Sequence, residues 1–193
     1  MSVKYCKILP CVAFAGAMAL VVSYGSAMAA TSNSRPESAL YSQLENFHGH
    51  VCAGSIFGAR LGLAAKEALK AAGGTGKFTA RYYDLSCPVD GIQVTAGTTY
   101  GNMALNVQDR DEHRLVLTAA GNKHSVEARL TKKAEEMGLK SRDLGNKVKG
   151  LPANAPEKAA LEREVEEIYT WLKSAPADEV VSVAMLNSKI EKR

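Results

Sequence analysis

The chain has 193 residues, 46% hydrophobic and 23% charged, with a formal net charge of +4. Those proportions describe an ordinary globular protein and argue against a long disordered, collagen-like or heptad-repeat chain. The length suits one domain with a real core. The weak positive balance, with no aromatic residue in the basic 130–150 stretch, gives no reason to expect a nucleic-acid partner.

Lys4 and Lys7 open the chain, an apolar run follows at 8–22, and Ser26-Ala27-Met28-Ala29-Ala30 closes it. A basic start, an apolar middle and an Ala-x-Ala exit form the pattern of a secretory signal peptide. The expected organisation is therefore a signal peptide at 1–29, a polar flexible leader at 30–36 and one domain at 37–190. The run falls short of the ~20 apolar residues that span a bilayer. No stable membrane insertion is expected after processing, and the expected location is periplasmic or secreted. Processing removes Cys6 and Cys11 and leaves Cys52 and Cys87, in a compartment where disulfides persist.

The domain is expected to open with a short helix at 36–46, followed by Phe47-His48-Gly49-His50-Val51-Cys52-Ala53-Gly54. Ile56, Leu61, Leu63, Ala64, Ala68 and Leu69 predict a helix at 55–71, stopped by Gly73-Gly74. Gly54, Gly58 and Gly62 recur every four residues along it. Glycine weakens a helix, so the row implies a closely packed backbone. That neighbour is either another helix or a wall facing a ligand. A strand is expected at 78–85, and Cys87-Pro88-Val89-Asp90 enters a helix running to 96 with proline in its first turn. A turn at 97–101 leads to strands at 102–107, 113–119 and 124–130. A short helix at 131–138 follows, and the Gly, Asn, Lys and Pro content of 141–156 reads as a loop. Leu161, Val165, Ile168, Tyr169 and Leu172 form the stripe of an amphipathic helix at 156–174, and a last strand is expected at 180–186. Helices and strands mix without βαβ alternation, which favours an α+β fold of helices packed on a mixed β-sheet. Helix faces rich in Gly and Ala suit packing within one chain or between two, so a homodimer is among the expected states.

The chemistry concentrates in two patches. His48-x-His50-x-Cys52 places two of the chain's four histidines beside a cysteine. In an extended segment alternate side chains point the same way, so the three can converge on one point. Imidazole nitrogen and thiolate sulfur suit zinc or another divalent transition metal. Cys52 stands at a helix start, where the helix dipole favours the thiolate. The plainer readings are surface histidines and a small buried cysteine, and three donors fall one short of a structural zinc site. The second patch is Cys87-Pro-Val-Asp90-Gly-Ile-Gln93. Cys87 is either a fourth ligand or the disulfide partner of Cys52, a crosslink worth roughly 3–4 kcal/mol in the loop-entropy model. Asp90 is either a helix-start charge or a group that orients a ligand.

Taken together, Phe47-His-Gly-His-x-Cys-x-Gly, Gly58-x-Arg60-x-Gly62, Cys87-x-x-Asp90-x-Ile92-Gln93 and Gly97-x-Thr99-Tyr100-Gly101 resemble the FmdE-like family of formylmethanofuran dehydrogenase proteins. The likeness is close over 47–105 and looser beyond. It implies an FmdE-like α+β domain with a His/Cys-lined cleft and a metal site, most often read as zinc, with His48, His50 and Cys52 as first ligands and Cys87 close by. If the site is an enzyme's, an open metal position would serve a small-molecule ligand in the cleft. Asp90 or Tyr100 would then handle protons and Arg60 would hold an anionic group, although Arg60 read without the resemblance is a helix-surface charge. Thiol redox between Cys52 and Cys87 is a third reading. The chain has Ala53 where the family usually has proline, Thr98 where it has cysteine and Asn102 where it commonly has lysine. No cysteine follows Cys87, so the C-terminal zinc ribbon of many members is not expected. The family is named for a molybdenum or tungsten enzyme of methanogens. An exported chain is not expected to act on methanofuran, a cytoplasmic cofactor.

Overall fold

The computed structural model describes residues 37–186. The expected signal peptide, the leader and positions 187–190 of the expected domain lie outside the described residues. Five strands form one sheet in the order β2 (Leu105–Val107), β1 (Phe78–Tyr83), β3 (Glu112–Ala119), β4 (Ser125–Leu130), β5 (Val181–Leu186). β1 and β2 run parallel and the other pairs antiparallel, so the sheet is mixed. Among the described residues six helices accompany it: α1 (Glu37–His48), α2 (Ala53–Ala71), α3 (Pro88–Ala96), α4 (Lys132–Gly150), α5 (Lys158–Ser174) and the single turn α6 (Ala177–Val180). This is the α+β architecture expected from the sequence.

Strand alternation gives the sheet one apolar face. Ala80 and Tyr82 of β1 stand opposite Leu117 and Leu115 of β3, which stand opposite Val126 and Ala128 of β4. All six are buried, and α2 closes over them with Ile56, Leu61, Ala65 and Leu69 at zero exposure. Each fully buried Leu or Ile contributes roughly 1.5–3 kcal/mol.

The glycine row of α2 faces α3. A Cβ on Gly58 would lie 1.9 Å from the Pro88 carbonyl oxygen, and one on Gly91 would lie 2.3 Å from the Ala59 nitrogen. The two helices therefore cross with their backbones in contact. The row is a helix-packing device within one chain. One consequence reaches the chemistry: a Cβ on Gly54 would lie 2.8 Å from Cys87 Cβ, so the close crossing seats Cys87 against the start of α2.

Two boundaries differ from expectation by three residues or more, and several others by one or two. The 141–156 stretch is largely helix, because α4 continues to Gly150. Its buried residues Ala134, Gly138, Ser141 and Leu144 recur at helical spacing, so packing overrides the glycines that read as breakers. β2 is shorter than the expected 102–107, because Asn102 holds a turn. Its side-chain oxygen accepts from the Thr99 and Ala104 backbone N–H groups at 3.0 and 3.1 Å.

Candidate metal centre

Three donors converge where α1 hands over to α2. α1 ends at His48, Gly49 turns the chain in the left-handed region at φ +87°, a conformation that favours glycine, and Cys52 is the extended N-cap of α2. The Cys52 sulfur accepts the Ser55 backbone N–H at 3.4 Å, and the Ser55 hydroxyl accepts the Cys52 N–H at 3.0 Å. This is a capping box with a thiol in the usual serine position. The donors meet through a helix end, a left-handed turn and a cap, and not along the extended segment the spacing suggested. One ligand atom from each of His48, His50 and Cys52 lies within 4.8 Å of the others. The imidazole rings of His48 and His50 stand 4.7 Å apart.

Asp90 fixes the orientation of His48. Its Oδ2 sits 2.7 Å from His48 Nδ1, while His48 Nε2 stands 3.9 Å from Cys52 Sγ. A carboxylate behind a histidine sets the tautomer and leaves the far nitrogen as a donor to a metal. The Asp90 hydrogen bond raises the His48 pKa above its ordinary value, against the lowering effect of burial. Gln93 Nε2 donates to Asp90 Oδ1 at 3.1 Å, and Gln93 Oε1 accepts the Tyr100 backbone N–H at 3.2 Å. Burial pushes the Cys52 thiol up, but hydrogen bonds from the Ser55 backbone and hydroxyl, from His48 and from Cys87 bring it below the ordinary thiol value. Cys87 moves the other way, raised by burial and by the neighbouring Cys52 charge. Both cysteines are free thiols. Cys52 is the better thiolate of the pair.

The centre opens into a cleft of about 970 Å³, with His50, Cys52 and Cys87 on its wall. Tyr169 also lines it, and the Ala53 N–H hydrogen-bonds its phenol, which burial and the Cys52 charge push up. The sequence placed Tyr169 only in an apolar stripe. Asp84, Ser86 and His113, which no motif marked, line the cleft too. Arg60 does not. Its guanidinium donates to the carbonyls of Lys173 and Ala175, at 2.7 Å for the first, and so caps the end of α5. Tyr100 reaches the network only through its backbone N–H. The residue is 81% exposed and borders a separate hollow with Arg81 and Met103. Thr98 is fully buried away from the cleft wall, and its hydroxyl has no partner among the described residues. Among the described residues no helix is long and apolar enough to cross a membrane.

The donor set fits a borderline transition metal: two imidazoles, a thiol poised toward thiolate, and a carboxylate behind one imidazole. Fold and site thus define an α+β protein with a His/Cys centre at the N-terminus of its main helix. The family described as "FmdE, Molybdenum formylmethanofuran dehydrogenase operon" matches residues 47–182, and the chain belongs to that family. The fold is similar to the crystal structure of an FmdE-like protein of tungsten formylmethanofuran dehydrogenase type from Syntrophus aciditrophicus. The TM-score is 0.54 at 19% identity, over 83% of this chain and 78% of that one. Comparison with curated protein sequences finds no match.

Proposed function

We propose that the chain is an exported FmdE-family protein that binds a divalent transition metal, zinc first among them, through His48, His50 and Cys52. The observation that carries this reading is the convergence of three donor atoms within 4.8 Å, with Asp90 braced behind His48 at 2.7 Å. Cys87 stands beside Cys52 as a reserve donor. The basic, apolar, Ala-x-Ala start supports export, with the mature chain beginning at Ala30. The test is metal analysis of untagged protein. Near one metal per chain, lost in His50→Ala, is the expected result. Less than ~0.2 per chain, unchanged by that substitution, contradicts it, because a site of this type fills near one.

The second reading is an enzyme acting on a small molecule at the same place. It is favoured by the cleft of about 970 Å³ that Cys52 and Cys87 border, a volume suited to a small ligand. A metal bound there supplies Lewis acidity to a ligand oxygen. The chain's own part is positional: Asp90 holds His48, Gln93 holds Asp90, and the Cys52 cap fixes the thiol at the cleft edge.

A further inference from the structure

A second polar cluster lines the same cleft, built by β1 and β3 from residues outside the metal donors. The inward row of β1 runs Ala80, Tyr82 and then Asp84 just past the strand, and that of β3 runs back from Leu117 and Leu115 to His113. Between them the pairing slips: Tyr82 faces Leu115, whereas Tyr83 faces Glu112. The irregularity leaves His113 and Arg114 without opposite residues on β1, although Arg114 still pairs with Arg129 of β4, and such a slip re-aims side chains. His113 Nδ1 comes to 2.9 Å from the Tyr82 hydroxyl and 3.4 Å from Asp84 Oδ2. The ring lies 5.9 Å from that of Phe57. Asp84 is buried and accepts the Ser86 hydroxyl.

Tyr82 decides where the imidazole proton sits. It is fully buried, and His113 Nδ1 is the one partner of its hydroxyl among the described residues. Burial holds the phenol far above the ordinary tyrosine range, so it remains an O–H donor. Leaving that buried O–H unpaired would leave its desolvation uncompensated. Donation to Nδ1 avoids the cost and makes Nδ1 the acceptor. The neutral ring then carries its proton on Nε2. A doubly protonated ring carries one there too, with Asp84 close enough to offset the charge. In both states His113 presents an Nε2–H group with no partner among the described residues.

Phe57 links this cluster to α4: a Cβ on Gly138 would lie 2.3 Å from the Phe57 ring. Arg142, four residues past Gly138 and so about 6 Å along the same helix face, lines the cleft and has no ion-pair partner among the described residues. Of the four acids lining the cleft, Asp84 is engaged by Ser86 and His113 and Glu112 by Arg114 and Arg129, whereas Asp111 and Glu135 have no ion-pair partner among the described residues. Glu135, one turn before Gly138, repels an anion from that end and favours the Arg142 side.

We infer that the cleft holds a carboxylate-binding subsite, in which His113 Nε2–H donates to an oxygen of a small organic acid and Arg142 supplies the nearby positive charge. The subsite uses none of the metal donors, so it stands or falls separately from the metal reading. The test uses the isotopically labelled, untagged full chain with sodium acetate as probe and acetamide as its neutral counterpart. Ring nitrogen NMR of His113 is expected to show the proton on Nε2 and Nδ1 as acceptor, and acetate is expected to shift those signals saturably. Binding followed on the acetate methyl group should weaken about fivefold or more in His113→Ala, a loss on the scale of one hydrogen bond. It should weaken similarly in Arg142→Ala and persist in His113→Gln, which keeps an N–H donor. Four results would overturn the inference: the proton found on Nδ1 with Nε2 bare, no saturable acetate binding, equal binding in His113→Ala, or acetamide binding as tightly as acetate. The first is read on the unsubstituted chain, so a variant that fails to fold does not shield the proposal.

Discussion

Asp90 Oδ2 lies 2.7 Å from His48 Nδ1, and the opposite nitrogen of the same ring faces Cys52 Sγ at 3.9 Å. A helix-start carboxylate thereby controls a donor that lies 42 positions earlier in the chain. Asp90→Asn keeps the shape but removes the charge and frees the tautomer. Metal affinity is expected to fall about 10–100-fold, the usual effect of losing such a partner, with the fold intact. Competition against a chelator measures it, and an unchanged affinity would remove Asp90 from the account.

The same pair gives the metal-free protein a pH dependence. The Asp90 hydrogen bond raises the His48 pKa from 6.5. A group whose folded pKa is raised stabilises fully below its unfolded value and loses that contribution as pH climbs through the folded value. Thermal stability of the metal-free chain should therefore fall as pH rises through and beyond about 6.5. Part of that fall should be missing in Asp90→Asn. Parallel pH profiles for the two proteins would count against the pairing.

Two glycine substitutions should behave oppositely. Gly58→Ala forces a Cβ to 1.9 Å from the Pro88 carbonyl, with backbone on both sides. Overpacking of this kind costs about 3 kcal/mol or more, and it pushes α3, with Cys87 at its entrance, away from α2. Gly145→Ala, in α4, meets nothing within 4 Å. It should be neutral or stabilise by up to about 1 kcal/mol through helix propensity. Thermal melts of the two variants decide the matter, and similar melting temperatures would refute the close crossing.

Thr98 is fully buried, and its hydroxyl has no partner among the described residues. Removing an unsatisfied buried hydroxyl while keeping the shape relieves a cost of about 1–3 kcal/mol. Thr98→Val is expected to raise the melting temperature by about 2–4 °C per kcal/mol recovered and to leave metal content unchanged. A lower melting temperature would mean that the hydroxyl has a partner after all.

Much of the centre is legible in the sequence because its donors are crowded into His48-x-His50-x-Cys52 and because helix starts carry their own signals. Strand alternation suggests their convergence, but it arises from the end of α1, the left-handed Gly49 and the Cys52 cap. The motif around Arg60 points to the site, whereas long-range packing ties its side chain to the carbonyls of Lys173 and Ala175. His113 carries no local signal, since its partners Tyr82 and Asp84 lie across a sheet and its aim depends on a slip in strand pairing. The helical run through 141–150 is hidden because Gly138 and Gly145 look like breakers until Phe57 is seen packing on Gly138.

Cobalt substitution tests the central claim most directly. Cobalt(II) added to the untagged chain should bind near one equivalent and give a thiolate-to-cobalt charge-transfer absorption, because Cys52 is the thiol held below its ordinary pKa beside two imidazoles. The band should disappear in Cys52→Ser and persist in Arg60→Ala, whose guanidinium serves α5. No charge-transfer band in the unsubstituted chain, or a band that survives Cys52→Ser at full strength, would contradict a metal centre built on His48, His50 and Cys52.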